Sequence, residues 1–200
     1  MLIKKYSYII FALIFLLNLS CITYGESWKE IKEKNIVKQS RDYSCGASSL
    51  ATILKYYYLE NHITEDSILE LFPIIEEEKK DKVVYSLLDI ANASIKLGYE
   101  SLGLDMNIDD LLKLQIPAIL FIKFHEKQNH FTVYKGFKDN KVHLADPSFG
   151  NIAMSIKKFK KKWLLVNKNN KKYGRALLVV PKDIVKAEQN PDVSKEFFYF

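Results

Sequence analysis

Three residues of this chain have side chains suited to acyl transfer, and they occur in an order that such chemistry uses. Cys45 stands where an apolar helical pattern begins, His130 begins a strand pattern far downstream, and Asp146 ends the next strand pattern. The positive end of a helix dipole favours a thiolate over a thiol. A histidine can take the proton, and a carboxylate can fix the tautomer of that histidine. The pattern therefore predicts a thiol hydrolase with a nucleophile, a base and an orienting acid.

Gln39 is a fourth candidate, because it lies six residues before Cys45. Its side-chain amide can reach back over the same turn. Together with the backbone N–H of Cys45, it would donate hydrogen bonds to a developing oxyanion. We expect Gly46, which follows the thiol, to let a substrate carbonyl approach the backbone closely.

A structural cysteine and a metal site are the competing interpretations of these residues. Free cysteine is commonly a buried apolar residue. A zinc site usually needs more thiolate or imidazole ligands than this chain supplies, and the sequence contains no Cys-x-x-Cys or His-x-x-x-His pair. We therefore expect neither a metal nor a cofactor.

The N-terminus has the pattern of an export signal. Lys4 and Lys5 precede an unbroken apolar run over residues 9–17, which is too short to span a bilayer comfortably. A signal peptide cleaved after Gly25 is the preferred interpretation, and it predicts a periplasmic or extracellular protein. An uncleaved membrane anchor and a lipidated Cys21 are the alternatives, and either would bring the chain into contact with a membrane.

The chain is expected to have three parts: a signal peptide or N-terminal membrane anchor (residues 1–25), one catalytic domain (26–182) and a polar C-terminal tail (183–200) that ends in four aromatic residues. Cleavage after residue 25 would leave Cys45 as the single cysteine, which excludes a disulfide framework within one chain. The net charge is +6, but the sequence shows no basic segment interleaved with aromatic residues, no zinc-finger spacing and no phosphate-binding glycine loop. We expect no nucleic-acid partner.

Helical patterns dominate the first half of the chain. One helix begins at Cys45, and a second, with an acid-rich first turn, covers residues 61–72. A third ends at Gly98, and its expected apolar stripe consists of Val84, Leu87, Leu88, Ala91 and Ile95.

Strand patterns dominate the second half, after a short expected strand at residues 36–37 in the lead-in segment. Short helices are expected over 108–114 and 156–163, and strands over 100–104, 118–124, 130–137, 141–145 and 175–180. Helices followed by antiparallel strands predict an α+β fold, with the nucleophile helix packed on the sheet. Residues of consecutive antiparallel strands lie side by side, which would bring His130 next to Asp146.

This combination resembles the peptidase C39 family, papain-like cysteine peptidases known for removing double-glycine leader peptides from bacteriocin precursors. The resemblance runs from about Val37 to Gly150, and it is carried by Gln39, Cys45-Gly46-Ala47, His130-Phe131-Thr132-Val133 and Asp146-Pro147-Ser148-Phe149-Gly150. It implies a papain-like fold, a peptide or protein substrate, and a C39-like peptidase domain over 26–182. It also implies the roles already given to Cys45, His130, Asp146 and Gln39. Ser44 stands where the family commonly has Asp.

Three functions remain open at this point. The first is an exported cysteine peptidase that processes a specific peptide or protein precursor. We expect it to act as a stand-alone domain, because no membrane-spanning bundle or ATP-binding cassette accompanies the motifs. The second is a thiol acyl-transfer enzyme of transglutaminase-like type, and the third is a non-catalytic peptide-binding module with the same fold.

Overall fold

The structure, a computed structural model, describes residues 26–74, 85–125 and 128–182, together with Phe197. The expected signal peptide with Cys21, the charged loop after Pro73, Val84 and all of the C-terminal tail except Phe197 lie outside the described residues. The sheet and the candidate site belong to the compact unit Ile31–Phe200.

The helices begin where polar side chains cap them. The described helices are α1 (Trp28–Glu33), α2 (Cys45–Thr52), α3 (Glu65–Leu69), α4 (Leu87–Lys96), α5 (Ile108–Leu112) and α6 (Ile156–Trp163), and α2 continues into a π-helical turn at Ile53–Tyr57. Thr64 and Ser86 form capping boxes at the starts of α3 and α4, and Asn107 and Ser155 cap α5 and α6. The cap at Thr64 explains why α3 is shorter than the helix expected over 61–72.

The described strands are β1 Tyr99–Met106, β2 Ala118–His125, β3 Gln128–Lys138, β4 Lys141–Asp146, β5 Gly150–Ser155, β6 Leu165–Val166 and β7 Lys172–Pro181. They form one antiparallel sheet in the order β1-β7-β2-β3-β4-β5, with β6 paired to β7. The sequence patterns did not predict β5 and β6, and the short strand expected at residues 36–37 does not form. Helices in the first half and antiparallel strands in the second confirm the predicted α+β class.

Two apolar clusters lie against the sheet, because alternate residues of a strand face opposite sides. On β3, Val133 belongs to the cluster that contains Leu50 of α2 and Ile90 of α4. The next residue, Tyr134, belongs to the cluster that contains Phe159 and Trp163 of α6. Helix α2, which begins at Cys45, therefore packs on one face of the sheet and α6 on the other. The C-terminal Phe197 is fully buried in the first cluster.

The buried face of α4 differs from the predicted stripe. Ile90, Ala93 and Ser94 are its buried residues, whereas Leu88 is 67% exposed and Ile95 is 57% exposed. The expected stripe is confirmed at Leu87 and Ala91, which pack against the first cluster. It was wrong at Leu88 and Ile95, because α4 packs against α2 through Ile90, which lies a third of a turn or more away from both. The predicted end of the helix is confirmed, since Gly98 follows it with a φ of 85°.

Candidate active site

A tight turn delivers Cys45 to the first position of α2. The Ser44 hydroxyl donates to the carbonyl of Arg41 at 2.7 Å, and the N–H of Ser48 donates to the carbonyl of Ser44 at 3.0 Å. Ser44 occupies the N-cap position without a capping bond from its side chain. Cys45 is 9% exposed and is a free thiol. The N–H groups of a first helical turn have no intrahelical partners, so they point a partial positive charge toward this thiol.

His130 and Asp146 form a buried pair across the neighbouring strands β3 and β4. Nε2 of His130 lies 3.0 Å from Oδ2 and 3.1 Å from Oδ1 of Asp146. Asp146 is fully buried, and its Oδ1 also accepts the backbone N–H groups of Ser148 at 2.9 Å and Phe149 at 3.0 Å. These charge-assisted bonds compensate the carboxylate for its lost hydration.

The thiol of Cys45 makes the next contact with His130. Burial lowers the pKa of His130, but hydrogen bonds to Asp146 and to Cys45, with the charges of both groups, outweigh burial and raise that pKa to about 9. Because Nε2 faces Asp146, Nδ1 is the ring nitrogen left to exchange a proton with the thiol. The structure thus places Cys45 and Asp146 as the two side chains that interact with His130 and raise its pKa.

Both ends of the side-chain amide of Gln39 are hydrogen-bonded. Its Nε2 donates to the carbonyl of Arg41 at 3.0 Å, and its Oε1 accepts the hydroxyl of Ser148 at 2.7 Å. Its backbone N–H donates to the carbonyl of Pro147 at 3.1 Å. An amide nitrogen carries two N–H groups, so the bond to Arg41 uses one of the two. The oxyanion role of Gln39 stays a prediction.

Two residues around the site were missed by the sequence analysis. Glu65 is 7% exposed and accepts both the N–H and the hydroxyl of Ser40, the residue after Gln39. Ser148 binds both Gln39 and Asp146. A local signal for the bond between Asp146 and Ser148 was present. An Asp side chain in a turn commonly accepts the backbone N–H of the residue two positions later. Nothing in the sequence distinguished Glu65 from other acidic residues in the first turn of a helix.

Gly46 has a packing role that the sequence did not indicate. A Cβ atom at this position would lie 2.9 Å from Cδ1 of Ile90 and 3.2 Å from the ring of Phe131. Gly46 is therefore needed for the close packing of α2 against α4 and β3. The expected approach of a substrate carbonyl to the backbone at Gly46 stays a prediction.

The described part of the chain shows no grouping of three His, Cys, Asp or Glu side chains that could hold a metal ion. Of the other histidines, His62 lies on the surface, 3.8 Å from the carboxylate of Glu60. Among the described helices, none has the length and apolar character to cross a bilayer.

The α+β architecture, with α2 packed on an antiparallel sheet, is that of the papain-like folds. The sequence model of the peptidase C39 family matches residues 33–171, and the chain belongs to this family. The family and the papain-like α+β fold were both predicted from the sequence, and both are confirmed.

Known relatives agree with this assignment. The probable functional amyloid protease FapD of Pseudomonas fluorescens is 29% identical over 138 residues, which cover 69% of this chain and 61% of that protein. The chain thus matches about three fifths of that relative's length.

Solved structures show the same fold. The peptidase domain of Streptococcus ComA, a bifunctional ABC transporter of a quorum-sensing pathway, superposes with a TM-score of 0.59 at 23% identity, covering 74% of this chain and 98% of that domain. A double-glycine-motif protease from an AMS/PCAT transporter, solved in complex with the leader peptide, superposes with a TM-score of 0.58 at 24% identity, covering 74% and 91%.

Proposed function

We propose that this protein is a cysteine peptidase that hydrolyses peptide bonds with Cys45, His130 and Asp146. The observation that carries the proposal is the buried hydrogen-bonded pair of His130 and Asp146, beside a free thiol at the start of α2 that interacts with the same imidazole. Membership of a peptidase family supports the same reaction class.

In the proposed reaction, Sγ of Cys45 attacks the carbonyl carbon of the scissile bond while the thiol proton resides on His130. His130 then gives that proton to the leaving amine, and a thioester to Cys45 remains. Water attacks the thioester, His130 takes one proton from that water, and the acid product leaves as the thiol is restored. Asp146 holds the imidazole in orientation and stabilises its charged form.

The oxyanion of each tetrahedral intermediate needs donors that are in place before the reaction. The backbone N–H of Cys45, at the start of α2, is one proposed donor. The second N–H of the Gln39 amide is the other. The papain-like order of Gln39 before Cys45 supports this pairing.

A groove of about 550 Å³ next to the loop that carries Gln39 and Cys45 is the proposed site for a substrate side chain. Its apolar lining includes Tyr43, Leu69, Phe72 and Tyr85, and the rings of Phe72 and Tyr85 lie 4.5 Å apart. Arg41, Asp66 and Glu70 add charges at the groove. This lining fits a peptide that carries a large apolar side chain between polar residues.

The proposed substrates are peptides or protein precursors, because relatives act on such molecules according to their names. One relative is a probable functional amyloid protease, and a structural neighbour is a double-glycine-motif protease solved with a leader peptide. We further propose that the protein is exported. N-terminal sequencing of extracytoplasmic protein should then find a start near Glu26, whereas a lipid on Cys21 would support the anchored alternative.

The test is incubation of the full chain with a peptide library that includes double-glycine sequences, with products read by mass spectrometry. Cleavage products should appear with the wild type and be absent with Cys45→Ala. Addition of a primary amine distinguishes the alternatives, because a transglutaminase-like enzyme would yield amine adducts of intact peptides. Intact peptides that bind without any product would indicate the non-catalytic module and contradict the proposal.

A further inference from the structure

Ser148 links the candidate oxyanion donor to the candidate acid. Its hydroxyl donates to Oε1 of Gln39 at 2.7 Å, and its backbone N–H donates to Oδ1 of Asp146 at 2.9 Å. Its carbonyl accepts the ammonium of Lys38 at 2.7 Å. The residue is therefore held by its backbone, and its hydroxyl is aimed at the Gln39 amide from a fixed position.

The Arg41 carbonyl determines which end of the Gln39 amide faces it, and the Ser148 hydroxyl holds the other end in place. A rotated amide would place Nε2 at the hydroxyl and Oε1 against the carbonyl oxygen of Arg41, where two acceptors would oppose each other. In the observed orientation Oε1 accepts from Ser148 and Nε2 donates to Arg41, so both bonds are satisfied. The Gln39 side chain is only half-buried, so surrounding atoms do not by themselves hold it in one rotamer.

We propose that Ser148 is a positioning residue that orients the Gln39 amide for oxyanion binding. It acts through Gln39 and does not touch the substrate. The proposal rests on the proposed peptidase function, since that function gives the Gln39 amide its role. A donor contributes to rate only if its direction is fixed before the reaction, because otherwise the transition state must pay for ordering it.

The kinetic test compares Ser148→Ala, Ser148→Thr, Gln39→Ala and the Gln39→Ala/Ser148→Ala double variant. Ser148→Ala should lower kcat about tenfold with little change in KM, the size expected for one neutral hydrogen bond. Ser148→Thr retains the hydroxyl and should recover most of the rate. In the Gln39→Ala background, Ser148→Ala should have no further effect, because its target is already absent.

Ser155→Ala is the matched control, since it removes a serine hydroxyl bond at the start of α6, away from Gln39. It should leave kcat unchanged. Additive losses in the double variant, or a wild-type kcat for Ser148→Ala, would overturn the positioning role while the peptidase function stands.

A second measurement does not depend on turnover. The side-chain NH₂ signals of Gln39 in ¹⁵N NMR should show greater mobility in Ser148→Ala than in the wild type, and near-normal order in Ser148→Thr. Unchanged Gln39 signals in Ser148→Ala would also overturn the proposal. If the wild type cleaved no peptide, the proposed function would fail, and this measurement would decide the orientation of Gln39 by itself.

Discussion

The protonation of His130 should limit activity at alkaline pH. Burial lowers its pKa, whereas Asp146 and Cys45 together raise it to about 9. His130 must carry a proton to give to the leaving amine, so kcat/KM should fall as pH rises through about 9. Initial rates with one peptide substrate from pH 6 to pH 10 measure this alkaline limb of the pH profile, the fall of kcat/KM above about pH 9.

Asp146→Asn separates the charge of this residue from its shape. An Asn side chain can still occupy the buried position, but it lacks the charge that favours the imidazolium. The alkaline limb should therefore move to lower pH, with a lower maximal rate and near-normal folding by circular dichroism. An alkaline limb that is the same in both proteins would show that Asp146 does not control His130.

At the level of single residues, the sequence was most informative about side chains with distinctive chemistry. Cys45, His130 and Asp146 were picked out by type and order, and the structure brings them into contact. The packing role of Gly46 was missed, because its neighbours Ile90 and Phe131 are distant in sequence. A glycine that a turn requires can be inferred locally, but one that packing requires cannot.

At the level of elements, the loop before α2 is fastened to the start of α3. Glu65 accepts the N–H of Ser40 at 2.9 Å and its hydroxyl at 2.6 Å. Glu65→Gln should weaken both bonds, because the amide oxygen carries no charge. The NH₂ would also face the N–H of Ser40 in either orientation, since that N–H contacts both carboxylate oxygens. We expect a loss of about 1–3 kcal/mol in the free energy of unfolding in urea, and faster trypsin cleavage after Arg41.

The neighbouring acid provides the control for this prediction. Asp66 also contacts the loop, at 2.8 Å from Nη1 of Arg41, but its side chain is 70% exposed. Asp66→Asn should change stability by less than about 1 kcal/mol, as exposed ion pairs usually do. Equal losses for Glu65→Gln and Asp66→Asn would mean that burial of Glu65 does not matter.

Gly46→Ala should disturb the packing of α2 on α4 and β3. The added methyl would lie 2.9 Å from Cδ1 of Ile90, which is fully buried and has little room to move. Overpacking of this size costs about 1–3 kcal/mol, which exceeds the gain of up to about 1 kcal/mol from replacing a helical glycine. Thermal and urea unfolding measure the loss.

Ile90→Val supplies the compensating change, because it removes the Cδ1 atom that the new methyl would meet. Gly46→Ala/Ile90→Val should be more stable than the two separate losses would suggest. If the losses of stability were strictly additive, the contact with Cδ1 of Ile90 would not be the cause of the loss in Gly46→Ala.

The start of α5 was predictable because its signal is local. Asn107 before α5 is a capping residue that can be recognised from the sequence, and it caps the helix in the structure. β5 was missed because Gly150–Ser155 contains glycine, asparagine and serine, and its apolar alternation is limited to Ile152 and Met154. It forms because it pairs with β4 along its whole length, and such pairing cannot be inferred from β5 alone.

At the level of the whole molecule, the C-terminal Phe197 packs near a buried lysine of the central sheet. Its ring centroid lies 5.8 Å from that of Tyr57, and Nζ of Lys135 lies 4.9 Å from the Phe197 centroid. Nζ of Lys135 also donates to Oδ1 of Asn151 at 3.3 Å. Lys135 is 1% exposed, and burial lowers its pKa to about 7.

Lys135 and His130 should have opposite effects on stability between pH 7 and pH 9. The pKa of His130 is raised in the folded state to about 9, so its contribution is complete below the ordinary value of 6.5 and is lost as pH rises through 9. The pKa of Lys135 is lowered from 10.5 to about 7, so between these values the unfolded state binds more protons. Stability from Lys135 therefore rises with pH over this interval.

Lys135→Met should remove the contribution to stability that rises with pH and leave the contribution of His130, which falls with pH. Urea unfolding at pH 7, 8 and 9 should show a clearly steeper loss of stability with pH in Lys135→Met than in the wild type, in which the two effects partly cancel. Lys138→Met, a change at the end of the same strand at an exposed lysine, is the matched control and should retain the wild-type slope. Equal slopes for Lys135→Met and the wild type would mean that Lys135 keeps its ordinary pKa in the folded protein, and that burial beside Phe197 does not favour the neutral amine.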